Sequence, residues 1–247
     1  MEEIDNILGY KDSYKIIQEK DAFSFSIDST ILSFFCDIKR KEKALIDLGT
    51  GNAIIPLILS MRTDKKIYAV EIQDKVYDRA LRTVKLNNLE DRIEIINDDI
   101  KNLRNIFKQA SFSLIVSNPP YFRIEDSSMK NDNEELKYSR HEYLITMEDI
   151  IKESSYLLTD GGSLNLIQRS ERFLETIELL KKYRLNPKRI RFVFPSVNKD
   201  SYVFMIDARK NRNSHGTKIL PPLYIYKEDG EYSEEIKEYF HYGEKHD

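Results

Sequence analysis

Between residues 44 and 208, short β-branched runs alternate with longer stretches of helical period, and this alternation constrains the fold more than any other feature. Strands are expected over 44–48, 66–71, 92–96, 112–117 and 163–168. Helices are expected after Asn52 and over 74–88, 147–158 and 171–183. Such an alternation predicts an α/β protein, a parallel sheet joined by crossover helices. Two late strands, 189–194 and 202–208, are joined by a short link and are expected to be antiparallel. Asn52 is expected to cap the first of these helices, with Pro56 in its first turn. In the 74–88 helix Val76, Ala80, Val84 and Leu86 mark the inward side.

Composition narrows the class. With 247 residues, the chain suits one sizeable domain. A hydrophobic content of 40% permits a core, and 11% aromatic residues exclude a disordered chain. The longest apolar stretch, 53–59, contains Pro56 and falls far short of the roughly 20 residues that span a bilayer, so no membrane partner is expected. Residues 1–5 are acidic and lack a signal peptide's basic and apolar regions. Cys36 is the sole cysteine, which excludes an internal disulfide and a cysteine-based zinc site. A cytoplasmic protein without a metal centre, acting as a monomer, is the expectation.

The net charge of −3 is an average over unlike segments. From 181 to 191 there are six basic residues (Lys181, Lys182, Arg184, Lys188, Arg189 and Arg191) and no acid. From 227 to 247 there are eight acids against three lysines. A local basic patch can hold phosphates whatever the overall charge. The alternative is a solvated surface.

The chain divides into an N-terminal extension (1–43) with a small hairpin or helix, a main domain (44–210), and an acidic C-terminal segment (211–247) packed on it. The stretch 123–142 is polar and aperiodic. A loop of that length inside a compact domain is functional or mobile, and it reads as a substrate loop.

Ile46-Asp47-Leu48-Gly49-Thr50-Gly51-Asn52 follows the first core strand. Its glycines allow a sharp turn and close approach to a ligand. The dinucleotide fingerprint wants a third glycine where Ile54 stands, which argues against NAD or FAD. Glu71 ends the second core strand, where a carboxylate can accept from both hydroxyls of a ribose; a helix cap or solvated acid is the alternative. Asp98 and Asp99 end the third. Asp99 is the choice for an adenine amine, with Ile100 packing on the ring, and the other acid caps the next helix.

Ser117-Asn118-Pro119-Pro120-Tyr121 follows the fourth core strand. Adjacent prolines fix φ and remove two backbone donors, giving a rigid corner. Ligands bind at the carboxyl ends of strands in open α/β sheets. The Asn118 side-chain oxygen and the Pro119 carbonyl can both accept from one NH₂ group, and Tyr121 offers a stacking face. An amine conjugated to a ring is a poor nucleophile. Two acceptors gripping its hydrogens would turn its electron pair towards an electrophile, which is positioning plus electrostatic preorganisation.

These motifs together resemble the class I S-adenosylmethionine-dependent methyltransferases that modify amino nitrogens. More narrowly, the chain resembles the bacterial tRNA1(Val) (adenine-37-N(6))-methyltransferase family over roughly residues 7–240. The narrower likeness rests on Phe23-Ser24-Phe25-Ser26-Ile27-Asp28-Ser29, Asp47-Leu48-Gly49-Thr50-Gly51-Asn52, Asn118-Pro119-Pro120-Tyr121-Phe122, Arg140-His141-Glu142, and Pro221-Pro222-Leu223-Tyr224-Ile225-Tyr226 followed by Gly230-Glu231-Tyr232-Ser233. Ala53 stands where relatives often carry glycine.

The resemblance implies a Rossmann-like fold, with a mostly parallel seven-stranded sheet, an antiparallel edge strand and helices on both faces. It implies S-adenosyl-L-methionine as cofactor, held by Asp47, Gly49, Thr50, Gly51, Asn52, Glu71, Ile72, Asp99, Ile100 and Asn118, with Asp28 and the N-terminal extension closing over it. It implies catalysis at Asn118, Pro119, Pro120 and Tyr121. The partner implied is a tRNA anticodon stem-loop, touched by Arg140 and His141 and tracked by Lys181, Lys182 and Arg184. For Arg140 a loop salt bridge with Glu142 or Glu135 is an equal alternative. Rival readings are another RNA, a protein glutamine amide, and a silent RNA-binding module on the same fold. The glutamine enzymes carry a separate N-terminal helical domain, for which about 43 residues are too few.

Overall fold

A computed structural model describes residues 2–11, 13–19, 27–38, 43–119, 145–211 and 216–244. Pro120, Tyr121, Arg140, His141 and the 123–142 loop lie outside the described residues.

The central sheet carries the order β10-β8-β9-β7-β6-β3-β4-β5, with β11 also on β8. Its strands are β3 (Ala44–Leu48), β4 (Ile67–Glu71), β5 (Ile93–Asn97), β6 (Phe112–Ser117), β7 (Leu158–Arg169), β8 (Leu185–Phe194), β9 (Val203–Lys210), β10 (Lys218–Ile219) and β11 (Leu223–Tyr224). Strands β3 to β7 pair in parallel, whereas β9 is antiparallel to both β7 and β8. The two-residue strands β10 and β11 cover the outer edge of β8, which would otherwise present unpaired backbone groups.

Helices cover both faces. On one lie α1 (Ile27–Phe35), α2 (Ile54–Arg62) and α3 (Asp74–Leu86), with a cluster including Ile31, Leu32, Leu57, Ile58, Leu114 and Val116. On the other lie α4 (Leu103–Ile106), α5 (Met147–Leu157) and α6 (Phe173–Lys182), with Ile46, Leu48, Ile115, Ile151 and Phe204. Alternate residues of β3 and β6 thus feed opposite cores, as a two-sided parallel sheet requires. Thr146 and Asp149 form a reciprocal capping box that starts α5.

Several local expectations change. Asn52 does not cap α2: the cap position is Ala53, at φ 68°, with no side-chain cap, and the Asn52 oxygen instead accepts from Arg79 at 3.3 Å. Leu86 is 41% exposed, and the buried side of α3 is Arg79, Ala80, Thr83 and Val84. The reason is tertiary. The hairpin β1 (Glu2–Asn6) and β2 (Lys15–Glu19) lies against α3, where Thr83 accepts from the Ile17 N–H at 3.2 Å and Arg79 pairs with Glu19 at 2.9 Å. Strand β7 begins at Leu158 and runs through Asp160-Gly161-Gly162, with a register shift opposite β6. A Cβ on Gly162 would stand 2.9 Å from the Thr159 carbonyl, so the irregularity requires glycine.

Both terminal segments join the first core. Ile7, Ile16, Ile31, Ile225 and Ile236 belong to one cluster. Helix α7 (Glu234–Phe240), capped by Ser233, stacks Tyr239 on Phe34 of α1 with ring centroids 4.5 Å apart.

Candidate active site

Five elements converge at the carboxyl ends of β3, β4, β5 and β6. They enclose a cleft of about 280 Å³ lined by Gly49, Gly51, Val70, Glu71, Ile72, Gln73, Asp98, Asp99, Ile100, Asn118 and Ile145. Seven of the residues singled out from the sequence therefore share one cavity: Gly49, Gly51, Glu71, Ile72, Asp99, Ile100 and Asn118.

The glycine loop is shaped by left-handed backbone. Gly49 and Gly51 have φ of 75° and 56°, and Ala53 follows at 68°. A Cβ built on Gly49 or Gly51 would meet nothing within 4 Å. The missing side chains thus leave open space along the cleft wall, which suits a ligand lying against bare backbone. The loop is anchored by Gly49 and Thr50 N–H groups on the Val70 carbonyl, at 3.0 and 2.9 Å. Glu71, 5% exposed, accepts from the Gly51 N–H at 3.0 Å and the Gln73 N–H at 2.9 Å. The acid therefore sets the loop as well as facing the cleft.

Beneath the loop sits Asp47, fully buried, its carboxylate without a close hydrogen-bond partner among the described residues. Burial pushes its pKa up to about 7, against the opposing effect of the Thr50 hydroxyl and with a further push from the Glu71 charge.

At the β5 end the two acids divide their work differently from expectation. Asp99 itself caps the 3-10 turn Ile100–Asn102, accepting from the Lys101 N–H at 2.9 Å. Asp98 accepts from the Asp99 N–H at 2.7 Å and from Asn102 at 2.8 Å. Both line the cleft.

Asn118 follows β6, whose last residue Ser117 donates its hydroxyl to the Leu48 carbonyl at 2.7 Å. The strand ends bearing the corner and the glycine loop are thus tied together. The Asn118 amide nitrogen donates to Ser29 Oγ of α1 at 2.9 Å. Pro119 is buried. Asp28 is not among the cleft-lining residues; it accepts from the Tyr202 hydroxyl at 2.9 Å, which fastens the first turn of α1 to the start of β9. Asp47, Thr50 and Asn52 are likewise absent from the lining.

The basic run is scattered by the fold. Ser117 pairs across to Leu166, Leu166 to Ile206, and Ile206 to Ile190. Strand β8 begins five residues before Ile190, roughly 17 Å towards the amino ends of the sheet. The backbones of Lys181, Lys182 and Arg184 precede β8 and so lie at the end opposite the cleft. The Lys182 side chain, however, reaches back to the first turn of α5, where it pairs with Glu148 at 2.6 Å, three residues from cleft-lining Ile145. Arg189 pairs with buried Asp207 at 3.1 Å, and Arg191 holds both oxygens of Glu235 on α7. Charge density along the chain could not reveal that strand geometry sends these groups in different directions.

No motif or spacing marks Gln73, Ile145 or Tyr202. Ser29 stood inside a quoted motif without a role. Arg169, exposed, ends β7 three residues beyond Leu166, on the same rim as the cleft.

Comparison with known proteins bears on the family and the fold. The model of the methyltransferase small domain family matches residues 13–192. The chain belongs to this family. A tRNA1(Val) (adenine(37)-N6)-methyltransferase of Christiangramia forsetii is 22% identical over 230 residues, covering 91% of this chain and 92% of that one. The enzyme of the same name from Trichodesmium erythraeum is 30% identical over 173 residues, covering 68% and 70%. Among solved structures, one described as a predicted O-methyltransferase of Agrobacterium tumefaciens superposes with a TM-score of 0.68 at 18% identity, covering 86% of this chain and 94% of that one. TrmN of Thermus thermophilus gives 0.52 at 19% identity, covering 74% and 48%. These structural likenesses concern the class I methyltransferase fold.

Proposed function

We propose that the chain is an S-adenosylmethionine-dependent methyltransferase for the exocyclic N6 of adenine in tRNA, at position 37 of a tRNA1(Val)-type molecule. The observation that carries this reading is the convergence of Asn118, Glu71 and the open-backed glycines on one cleft.

The residues fit the cofactor. The Gly49–Gly51 backbone, with buried Asp47 behind it, suits a methionine portion, Glu71 a ribose, and Asp99 with Ile100 an adenine. When bound, S-adenosylmethionine supplies an electrophilic methyl carbon on a sulfonium. Asn118 and the Pro119 carbonyl accept from the hydrogens of the target amine and hold its electron pair out of conjugation with the ring. No strong base is needed at the outset, because the nitrogen's proton becomes acidic only once the new bond forms. Tyr121 stacks on the target ring, Pro120 stiffens the corner, and Arg140 and His141 hold neighbouring RNA. These four assignments rest on the motif alone.

A target base is presented most easily from a single-stranded loop. Lys181 and Arg184, at the far end of the sheet, can reach only RNA remote from that base. Arg169, on the cleft rim, is the better placed cation for nearby phosphate. No helix among the described residues is long and apolar enough to cross a membrane. The enzyme acts as a cytoplasmic monomer.

Asn118→Ala tests the reading. Methyl transfer to tRNA should fall by about 10²-fold or more, with cofactor affinity within a few-fold of wild type. Turnover close to wild type would remove Asn118 from the chemistry. Loss of one methyladenosine from the tRNA of a deletion strain, read by mass spectrometry, identifies base and RNA together.

A further inference from the structure

We infer that Ser29 is a positioning residue that holds the Asn118 side-chain amide in place for the target amine. The inference rests on the adenine-amine reading above. A side-chain amide is planar, with a donor at one end and an acceptor at the other, and the two ends are nearly equal in shape. An amine can be gripped only by the acceptor end. A flipped amide would set NH₂ against NH₂ and work against the reaction.

Ser29 anchors the donor end of the amide. Its Oγ accepts from Asn118 Nδ2 at 2.9 Å across 89 residues of sequence. Ser29 is 7% exposed, so bulk water is a poor replacement for the hydroxyl.

The hydroxyl is itself held in place by a helix clamped at both ends. Tyr202 donates to Asp28 at 2.9 Å in the first turn of α1. Ser33 donates its hydroxyl to the Ser29 carbonyl at 2.7 Å. Past the last turn, Arg62 donates to the Ser33 and Cys36 carbonyls, and Arg189 to that of Phe35 at 2.9 Å. Guanidinium groups there satisfy carbonyls that lack helical partners and complement the helix dipole. Ile31 and Leu32 bury the middle of the helix in the core. Helix α1 is thus a fixed bracket, and Ser29 is its contact with the corner.

The experiment compares Ser29→Ala and Ser29→Thr in the full-length protein, with kcat, KM for tRNA, and cofactor affinity by calorimetry. Ser29→Ala should lower kcat by about tenfold or more, with KM and cofactor affinity within twofold. Ser29→Thr, which keeps Oγ, should recover turnover. A kcat for Ser29→Ala within twofold of wild type overturns the inference. So does a Ser29→Ala loss that falls on cofactor affinity, which would make α1 a wall of the cleft only, and so does failure of Ser29→Thr to recover. A wild-type protein that methylates no RNA adenine overturns the functional reading instead. The Ser29–Asn118 bond is then read separately from the Asn118 side-chain amide NMR signals: a shift in Ser29→Ala supports the bond, and unchanged signals remove it.

Discussion

Glu71 Oε2 accepts the backbone N–H of Gly51 at 3.0 Å, while its other oxygen accepts from Gln73. One buried carboxylate at a strand end therefore braces the loop of the neighbouring strand and lines the cleft at the same time.

Glu71→Gln should separate these two duties poorly. A glutamine offers one oxygen and turns an NH₂ towards the other N–H group, leaving a buried donor unpaired. The expected loss is about 1–3 kcal/mol of stability, with cofactor affinity reduced by about tenfold or more. Thermal unfolding and calorimetry measure the two effects. Wild-type affinity in the variant would place the ribose elsewhere.

Asp47 makes stability depend on pH. Its folded-state pKa of about 7 lies above the ordinary value of 3.8, so the folded state holds the proton more tightly than the unfolded chain. Its contribution is fully present below about pH 4 and is lost as pH rises to about 7, a change of a few kcal/mol. Asp47→Asn should flatten the unfolding midpoint between pH 4.5 and 8 and weaken cofactor binding at pH 8. A variant that follows the wild-type pH curve would show that another group titrates.

Ala53 occupies left-handed backbone, at φ 68°, in a fully buried position. Ala53→Gly relieves about 1 kcal/mol of that strain. It also loses a buried methyl and adds freedom to the unfolded chain, together of similar size. Urea unfolding should therefore change by less than about 1 kcal/mol. Ala53→Val, β-branched in the same conformation, should lose at least about 2 kcal/mol. Equal stability of the two variants would contradict this account.

Replacing Lys181 and Arg184 together by alanine should leave methylation of a short anticodon stem-loop within twofold of wild type, because these groups stand at the opposite end of the sheet. If they touch a distal part of the tRNA, binding of the whole molecule weakens and its salt dependence flattens. Loss of stem-loop methylation would bring the basic run back to the cleft.

Much of the architecture could be read from local pattern. The strands 44–48 and 112–117 coincide with β3 and β6, because their apolar runs are buried on both faces and end at turn-forming residues. The antiparallel pairing of β8 and β9 also followed from the short link between them. Strand β8 was underestimated, since Asn186 and Pro187 look like a break; the strand absorbs them with a register shift. Sequence period alone points Leu86 inward, whereas the N-terminal hairpin packs on the Thr83 flank of α3 and Leu86 stays exposed.

The sequence by itself determined the chemistry on offer: left-handed glycines after a strand, an acid at the next strand's end, and a proline-stiffened asparagine. These are short-range matters of backbone freedom and functional groups, and residue identity settles them. Only the tertiary structure decided that Ser29 meets Asn118, that Tyr202 meets Asp28, and that Lys181 and Arg184 stand away from the cleft. Such relations depend on strand order and register, which arise from burying two cores at once and leave no trace in the spacing of the residues that end up in contact.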